Sequence, residues 1–541
     1  MKKRRIAVAL MLASLAAAPA TFAQDMTFTT EETGQPPEPP AEGPPSEALA
    51  NALRLYQQDR HQEACVQFQR VVEGETQDAP ANVQKAQFFL GKCLYHLRYY
   101  QSALAVFDEI GQTQGHLFFN ATLQWLAQLA SQLPEPAGII DRVGRYGVDA
   151  LEQFNNSESA DLYNQLLYLL GRFKYQQGEF EEAVRLFQRV ARTSRFYVQA
   201  RFFEGITHVR QRQARPAIAA FRAIIDAVDE GVEGVEDEDR MTDLAWLSMA
   251  RVYYSAAIRR NDEGETNIDG RLLANAVEAW DRINVDSEYW LDALFEESWA
   301  FFLADETSRA LGNIHTLNSP FFDAAYYPEA QILKAVVFFG ACQFDNAEAV
   351  IARFNERYEP LKVELEQYLN QYRENTEFFA FLQRVRAGTA NLPPRIRPIV
   401  ESALGDRTLL RNIEYVRLLE EEERRVNASP AEFRNSSLGA RILQDISVAK
   451  SLAIDAAGDL ARGRYNRLID DLADLLNQAT AIQIEVLNAR RGQLGTQGPP
   501  PNAQGGRVEV DDEHMVWPFD GEYWRDELGY YRQEIRSECG R

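Results

Sequence analysis

The sequence predicts an all-α protein: an α-solenoid of antiparallel helix pairs, then a long-helix, coiled-coil-like bundle, then an aromatic C-terminal tail. Three observations carry this expectation. Small residues recur at a fixed distance ahead of an alanine and a bulky apolar residue. An apolar seam with spacings of three and four runs from Tyr465 to Val486. The prolines, which break helix interiors, gather mainly near the two ends and leave a middle able to sustain long helices.

The bulk numbers set the frame. A chain of 541 residues that is 45% hydrophobic can bury a large core and has room for more than one domain. Residues 1–23 read as a secretory signal peptide. Lys2, Lys3, Arg4 and Arg5 precede an apolar run from Ile6 to Ala18, and small residues lead to a cut near Ala23. No cysteine follows that run, so a lipid-anchored N-terminus is not expected. The run is too short to span a bilayer of about 30 Å, and no other stretch approaches 18 uninterrupted apolar residues. Cleavage removes four cations and no acids, taking the formal net charge from −23 to −27. Such a charge repels phosphate backbones, so nucleic acid is not expected as a main partner.

Residues 24–45 form a proline-rich linker, and Ser46 is placed to cap the first helix. From 46 to 360 the chain repeats. The pairs are Ala64/Phe68, Ala103/Phe107, Ala183/Phe187, Ala217/Phe221, Ala276/Trp280, Ala310/Ile314 and Ala347/Ile351. Twelve residues ahead of six of these alanines stand Ala52, Gly91, Gly171, Gly205, Ser298 and Ala335. Ala276 is the exception, and its unit carries an insertion. Two antiparallel helices approach closely only where side chains are small, and the bulky residue one turn later is expected to fill space between hairpins. The 80-residue gap between Ala103 and Ala183 leaves room for a divergent hairpin around Trp125. The 59-residue gap before Ala276 holds acidic loops at Asp229–Asp239 and Asn261–Asp269.

The segments Phe88 to Tyr95 with Ala103 to Phe107, and Leu169 to Phe187, resemble the tetratricopeptide repeat family, whose period is about 34 residues. The resemblance covers about 46 to 360. It implies that the first helix of each hairpin lines a concave, protein-binding groove. The groove positions carried over are Phe88, Lys92 and Tyr95; Tyr168, Arg172 and Tyr175; Phe202 and Ile206; Phe295, Trp299 and Phe302; and Ile332, Val336 and Phe339. Aromatic faces with a few cations suit an extended peptide or an amphipathic helix. They equally suit burial of neighbouring helices or of the chain's own tail. The lysines and asparagines of the family's carboxylate-clamping members are largely replaced by aromatics.

Residues 361–495 read as helices from Leu361 to Ala387, Ile399 to Val426 and Ala431 to Leu494. The seam on the third is Tyr465, Leu468, Leu472, Leu475, Ala479, Ile482 and Val486. It closes either within the chain, which is favoured, or with another copy. Residues 496–541 are a linker and a tail with six aromatics, including Trp517, Phe519, Tyr523 and Trp524. So many rings are expected to dock on the chain itself or on a partner.

Four cysteines in an exported chain invite disulfides, with buried free thiols as the alternative. Cys65 and Cys93 fall on adjacent helices, and Cys342 with Cys539 would staple the tail to the solenoid. No motif of a hydrolase, P-loop or dinucleotide-binding enzyme is present, and the acidic loops fail the EF-hand spacing. No pair among the six histidines has helical metal spacing. The expectation is a non-catalytic interaction scaffold without a cofactor or metal, binding protein or peptide partners of the cell envelope. An enzyme acting through residues 361–541 and a self-assembling coiled coil are the alternatives. The stretches Tyr289 to Phe302, Leu317 to Glu329 and Trp517 to Trp524 also resemble exported repeat proteins of deltaproteobacteria, some associated with adventurous gliding motility. That likeness implies a periplasmic location and a motility or envelope complex.

Overall fold

The computed structural model describes residues 40–539 apart from 233–234, 236, 261–265, 323–324, 394–395, 405, 494–514 and 517. The signal-peptide segment, most of the first linker, the second linker and Trp517 therefore lie outside the described residues.

Helices pair in chain order: α1 (Glu47–Gln57) with α2 (His61–Val72), and α3 (Pro80–His96) with α4 (Tyr100–Gln112). Next come α8 (Ala160–Gln176) with α9 (Phe180–Arg189), and α10 (Tyr197–Arg210) with α11 (Ala214–Asp229). Then follow α14 (Trp290–Leu303) with α15 (Thr307–Leu317), and α16 (Pro328–Gly340) with α17 (Phe344–Gln371). Ser46 caps α1 by accepting from the Leu49 N–H at 3.1 Å.

These six hairpins turn alike. Five residues ahead of each marker alanine stands a residue of positive φ: Asp59, Arg98, Gly178, Arg212, Asp305 and Cys342. The next N–H reaches back five residues to a carbonyl of the first helix, as in Tyr99 to Leu94 (2.9 Å) and Gln213 to His208 (2.8 Å). This is a Schellman ending, in which glycine is the natural occupant. Only Gly178 supplies it. A side chain in this conformation costs about 1–2 kcal/mol, and glycine costs about 0.5–1 kcal/mol in unfolded-state entropy. Arg98→Gly is therefore expected to raise stability by up to about 1 kcal/mol, read from urea melts; a loss of stability would show that the turn is set by something else.

The small residue and the bulky residue meet inside one hairpin, not between hairpins. A methyl at Gly91, Gly171 or Gly205 would lie 2.6, 2.6 or 2.4 Å from the ring of Phe107, Phe187 or Phe221 on the partner helix. Each ring sets its Cδ1–Cε1–Cζ edge against bare backbone, and Phe187 also meets Phe203 of the next hairpin, ring centroids 6.1 Å apart. The expectation about spacing thus holds with its geometry corrected.

Two units diverge. Around Trp125 the first helix is α5 (Phe119–Ala130), and its partner is broken into α6 (Ile139–Val143) and α7 (Val148–Glu152) at Gly144 and Gly147. In the other, α12 (Glu238–Ala257) and α13 (Gly270–Trp280) are joined by β1 (Ile258–Arg260) and β2 (Thr266–Ile268). Ile258 pairs with Ile268 in antiparallel register. Thr266 to Ile268 of the second acidic stretch are thus a paired strand, and residues 261–265 lie outside the described residues.

After the solenoid the helix boundaries differ from the sequence reading. Helix α17 runs through Pro360 and ends at Gln371, so the change of pattern at 360 falls inside an element. A proline in a helix interior costs about 3 kcal/mol. Burial of Tyr358, Leu361 and Leu365 on one face holds the helix through it. Then come α18 (Asn375–Arg386), α19 (Arg397–Leu404), α20 (Arg407–Ala428), α21 (Ala431–Arg434) and α22 (Ser437–Gln493). Asp406 caps α20 through the Leu409 N–H, which is why the second predicted helix is split. Ser436 accepts from the Gly439 N–H and separates α21 from α22.

Helix α22 has 57 residues and so extends about 85 Å. Its start binds the first hairpins, with Arg441 on Glu109 at 2.7 Å. Its middle seats Tyr465 edge-on against Phe378, ring centroids 5.1 Å apart. Its end reaches the last hairpin, with Arg490 on Asp345 at 2.6 Å and Glu348 at 2.9 Å. The seam residues Tyr465, Leu472, Ala479, Ile482 and Val486 are buried, and α22 packs on α16, α17, α18 and α20. The seam therefore closes within the chain. Helix α20 adds a second tie: the Glu422 carboxylate accepts the Tyr100 and Gln101 N–H groups that open α4, at 3.0 and 3.3 Å.

Carboxyls are buried where this arm meets the hairpins. Burial pushes Glu422 up to about 8, despite the two N–H groups it accepts, and Glu329 up to about 7 beside Asp471 of α22. Asp445 is pushed up to about 6 by burial. A carboxyl whose folded-state pKa is raised adds stability that is complete below its unfolded pKa and is lost as pH rises through the folded value. Docking of the arm is therefore expected to weaken between about pH 5 and pH 9. Hydrogen exchange of the α4 and α20 amides should record this, and Glu422→Gln should flatten the dependence. Equal protection at both pH values would refute it.

Candidate binding groove

The groove positions follow from hairpin stacking, because successive first helices lie against one another. At the N-terminal end Lys92 points into four rings. Its Nζ lies 4.6 Å from the centroid of Phe89, 5.2 Å from Tyr56, 5.4 Å from Trp125 and 5.7 Å from Phe88. Three consecutive first helices supply this box. Burial lowers the Lys92 pKa, and no carboxylate lies within ion-pair distance of it among the described residues. Cation–π contacts of this kind are worth about 0.5–2 kcal/mol each depending on desolvation. The ammonium keeps hydrogens able to meet a carbonyl or carboxylate entering the groove.

Tyr95 sits beside this box, its ring 5.3 Å from Trp125. His96 donates to or accepts from Tyr56 Oη at 3.1 Å and stacks on His61 at 4.7 Å. Burial, then His61 and Lys92, pull the His96 pKa down. Phe88 itself is buried and stacks on Phe118 at 4.7 Å, so it forms the packed wall behind Lys92.

Arg172 occupies the same register on α8. Its guanidinium lies 3.9 Å over Phe203 and donates to Tyr168 Oη at 3.0 Å. Unlike Lys92 it is neutralised, by Glu135, and Glu135 also holds Arg411 of α20 at 2.9 Å. The arm is thus tied to the groove wall. Tyr168 and Tyr175 are half-buried against Phe203, and Phe202 is half-buried against Phe221. Ile206 is half-buried nearby. Farther on, Trp299 is buried, while Phe295 (5.5 Å from Tyr327) and Phe302 stay half-buried. Ile332 and Val336 are buried and Phe339 is half-buried. The register therefore brings together one open cationic box and one closed one, whereas Phe88, Trp299, Ile332 and Val336 serve packing.

Sequence reasoning missed Tyr56, Phe89 and Phe203. The signal was available: Tyr56 stands four residues after the small residue Ala52, the register of Tyr95 and Tyr175, and Phe89 and Phe203 both stand two residues before a glycine.

The tail lies elsewhere, on the second helix α15. Phe519 and Tyr523 enclose His315 at ring distances of 4.6 and 4.5 Å, with Tyr531 at 5.0 Å. Burial there, with Lys334 nearby, holds the His315 pKa down at about 4. The Gly529 N–H donates to Thr316 Oγ1 at 3.0 Å, Gln533 N–H to the Ser308 carbonyl at 3.1 Å and Glu538 N–H to the Ala341 carbonyl at 2.8 Å. Trp524 is partly exposed. Cys342 and Cys539 are joined, Cα atoms 4.9 Å apart, and Cys65 is joined to Cys93 at 5.8 Å.

No known family profile matches the chain. No curated protein matches it either. Among solved structures it is similar to a tetratricopeptide repeat protein from Parabacteroides merdae, at 12% identity and a TM-score of 0.22, over 57% of this chain and 91% of that one. It is also similar to the apo form of RapI, at 14% identity and a TM-score of 0.31, over 70% of this chain and 98% of that one.

Proposed function

We propose that this protein is a non-catalytic scaffold that holds protein partners along the faces of its first helices, exported to the periplasm and working in a cell-envelope complex. The observation that carries the binding part is the Lys92 box: four rings from three hairpins around a cation that no carboxylate of the described chain neutralises. Aromatic surface offers large contact area at small entropy cost, and an unpaired ammonium adds direction. Export is supported by the basic head and apolar run at the N-terminus, and a motility complex only by the resemblance described above. Among the described residues no helix is long and apolar enough to cross a membrane. A coiled coil between copies is disfavoured because the seam of α22 is already covered by the chain's own helices.

The test places a photo-cross-linkable residue at Tyr95, at Tyr175 or at the exposed Arg417, and exposes cells to light before mass spectrometry. The expected result is one protein partner captured from Tyr95 and Tyr175 and not from Arg417, lost on Lys92→Ala, in a periplasmic fraction. Capture only from Arg417, or a cytoplasmic location, would overturn the reading.

A further inference from the structure

Charge in this chain is segregated along the repeats. Residues 183–225 hold nine arginines, no lysine and one glutamate, a net of +8 in a chain whose total is −23. Residues 226–239, immediately after, hold eight acids and no base. The basic block spans α9 to α11, two successive hairpins.

Its arginines divide in two. Arg185, Arg189, Arg192 and the half-buried Arg201 are neutralised by Glu182, Glu152, Glu230 and Glu204. Arg195, Arg210, Arg212, Arg215 and Arg222 are exposed, and among the described residues none has a carboxylate within ion-pair distance. Arg210 reaches only Tyr175 Oη, at 3.4 Å, and Arg195 lies over Phe196. Arg215 and Arg222 are seven residues apart on α11, on the side opposite its buried residues Ala217, Phe221 and Ile224, so they share one face about 10 Å apart. Arg212 enters that helix from the turn. A chain with 80 acidic residues leaves this face unneutralised.

We propose that this outer face is a docking surface for a short acidic segment of a protein partner, separate from the groove of first helices. Arginine's fork pairs carboxylates bidentately, and a run with no lysine fits that use. The patch is small, since the exposed Asp226 and Asp229 follow Arg222 by about one and two turns on the same side of α11. At physiological salt charges are felt over about 8 Å, so the cationic stretch a partner segment meets is the run from Arg212 to Arg222, about two to three helical turns long. A nucleic acid or an anionic bilayer extends past the patch onto the surrounding acidic surface and is repelled there.

The test measures fluorescence anisotropy of a labelled synthetic peptide of alternating glutamate and alanine against the full chain. Binding is expected, weakening at least about tenfold as salt rises from about 0.1 to 1 M. The variant Arg212→Gln/Arg215→Gln/Arg222→Gln should lose at least about tenfold in affinity with an unchanged circular dichroism melt. The three-lysine variant should recover part of it. Lys92→Ala should leave it intact, which separates this surface from the groove. The proposal is overturned if the peptide does not bind, or binds the glutamine variant equally. It is also overturned if duplex DNA or phosphatidylserine vesicles bind this face more tightly than the peptide, or if the arginines only support self-association.

Discussion

Gly312→Ala is expected to release the C-terminal tail. A methyl on Gly312 would stand 1.6 Å from the Tyr531 carbonyl oxygen and 2.5 Å from its carbon. That backbone has no room to retreat, because Gly529 and Gln533 on either side are hydrogen-bonded to Thr316 and Ser308 of the same helix. Relief requires the segment to lift, exposing Leu528, Tyr531 and Ile535, all now buried. At about 1.5–3 kcal/mol for each of these three side chains, roughly 4.5–9 kcal/mol of docking is at stake. The Cys342–Cys539 bond keeps the end tethered, so the change is a local one. Amide exchange at Gly529 and Gln533 should speed up, and trypsin should cut at Arg525 and Arg532. Gly340→Ala is the matched control, since a methyl there meets nothing within 4 Å. If the tail amides stay protected in Gly312→Ala, the tail does not lie where described.

Phe187→Ala is expected to cost about 3–5 kcal/mol, because a fully buried ring leaves a cavity against the Gly171 backbone. Gly171→Ala gains up to about 1 kcal/mol of helix propensity, yet forces a methyl into a ring 2.6 Å away, at a cost of about 1–3 kcal/mol. The informative variant is Gly171→Leu/Phe187→Ala, in which the new side chain occupies the space the ring has left. The double variant should be more stable than the two single losses predict by at least about 1 kcal/mol in urea melts. Additive losses would mean that the two residues do not touch.

Much of the solenoid was legible because a hairpin is a local object. The small residue, the turn and the ring lie within about twenty residues, and their spacing is fixed by helix geometry. The same local logic placed Ser46 as a cap and located a divergent hairpin around Trp125. It failed where two local preferences compete. Pro360 reads as a boundary, but buried residues on both sides carry α17 through it. The positive-φ turns were invisible because Asp, Arg and Cys hold five of the six positions where glycine signals such a conformation. Of the groove residues, periodicity found Lys92 and Arg172 but could not tell the open box from the neutralised one. Glu135, which closes the second, is 37 residues from Arg172 in sequence.

The sequence by itself determined the helix class, the hairpin period and the residues at which helices come into contact, since these depend on side-chain size at fixed intervals along one helix. Only the tertiary structure decided that the α22 seam turns inward across the first and last hairpins and that the tail seats on α15. It likewise decided which arginines meet a carboxylate among the described residues. Those outcomes depend on which distant surfaces meet, and charges and apolar faces hundreds of residues apart leave no periodic trace of their pairing in one sequence.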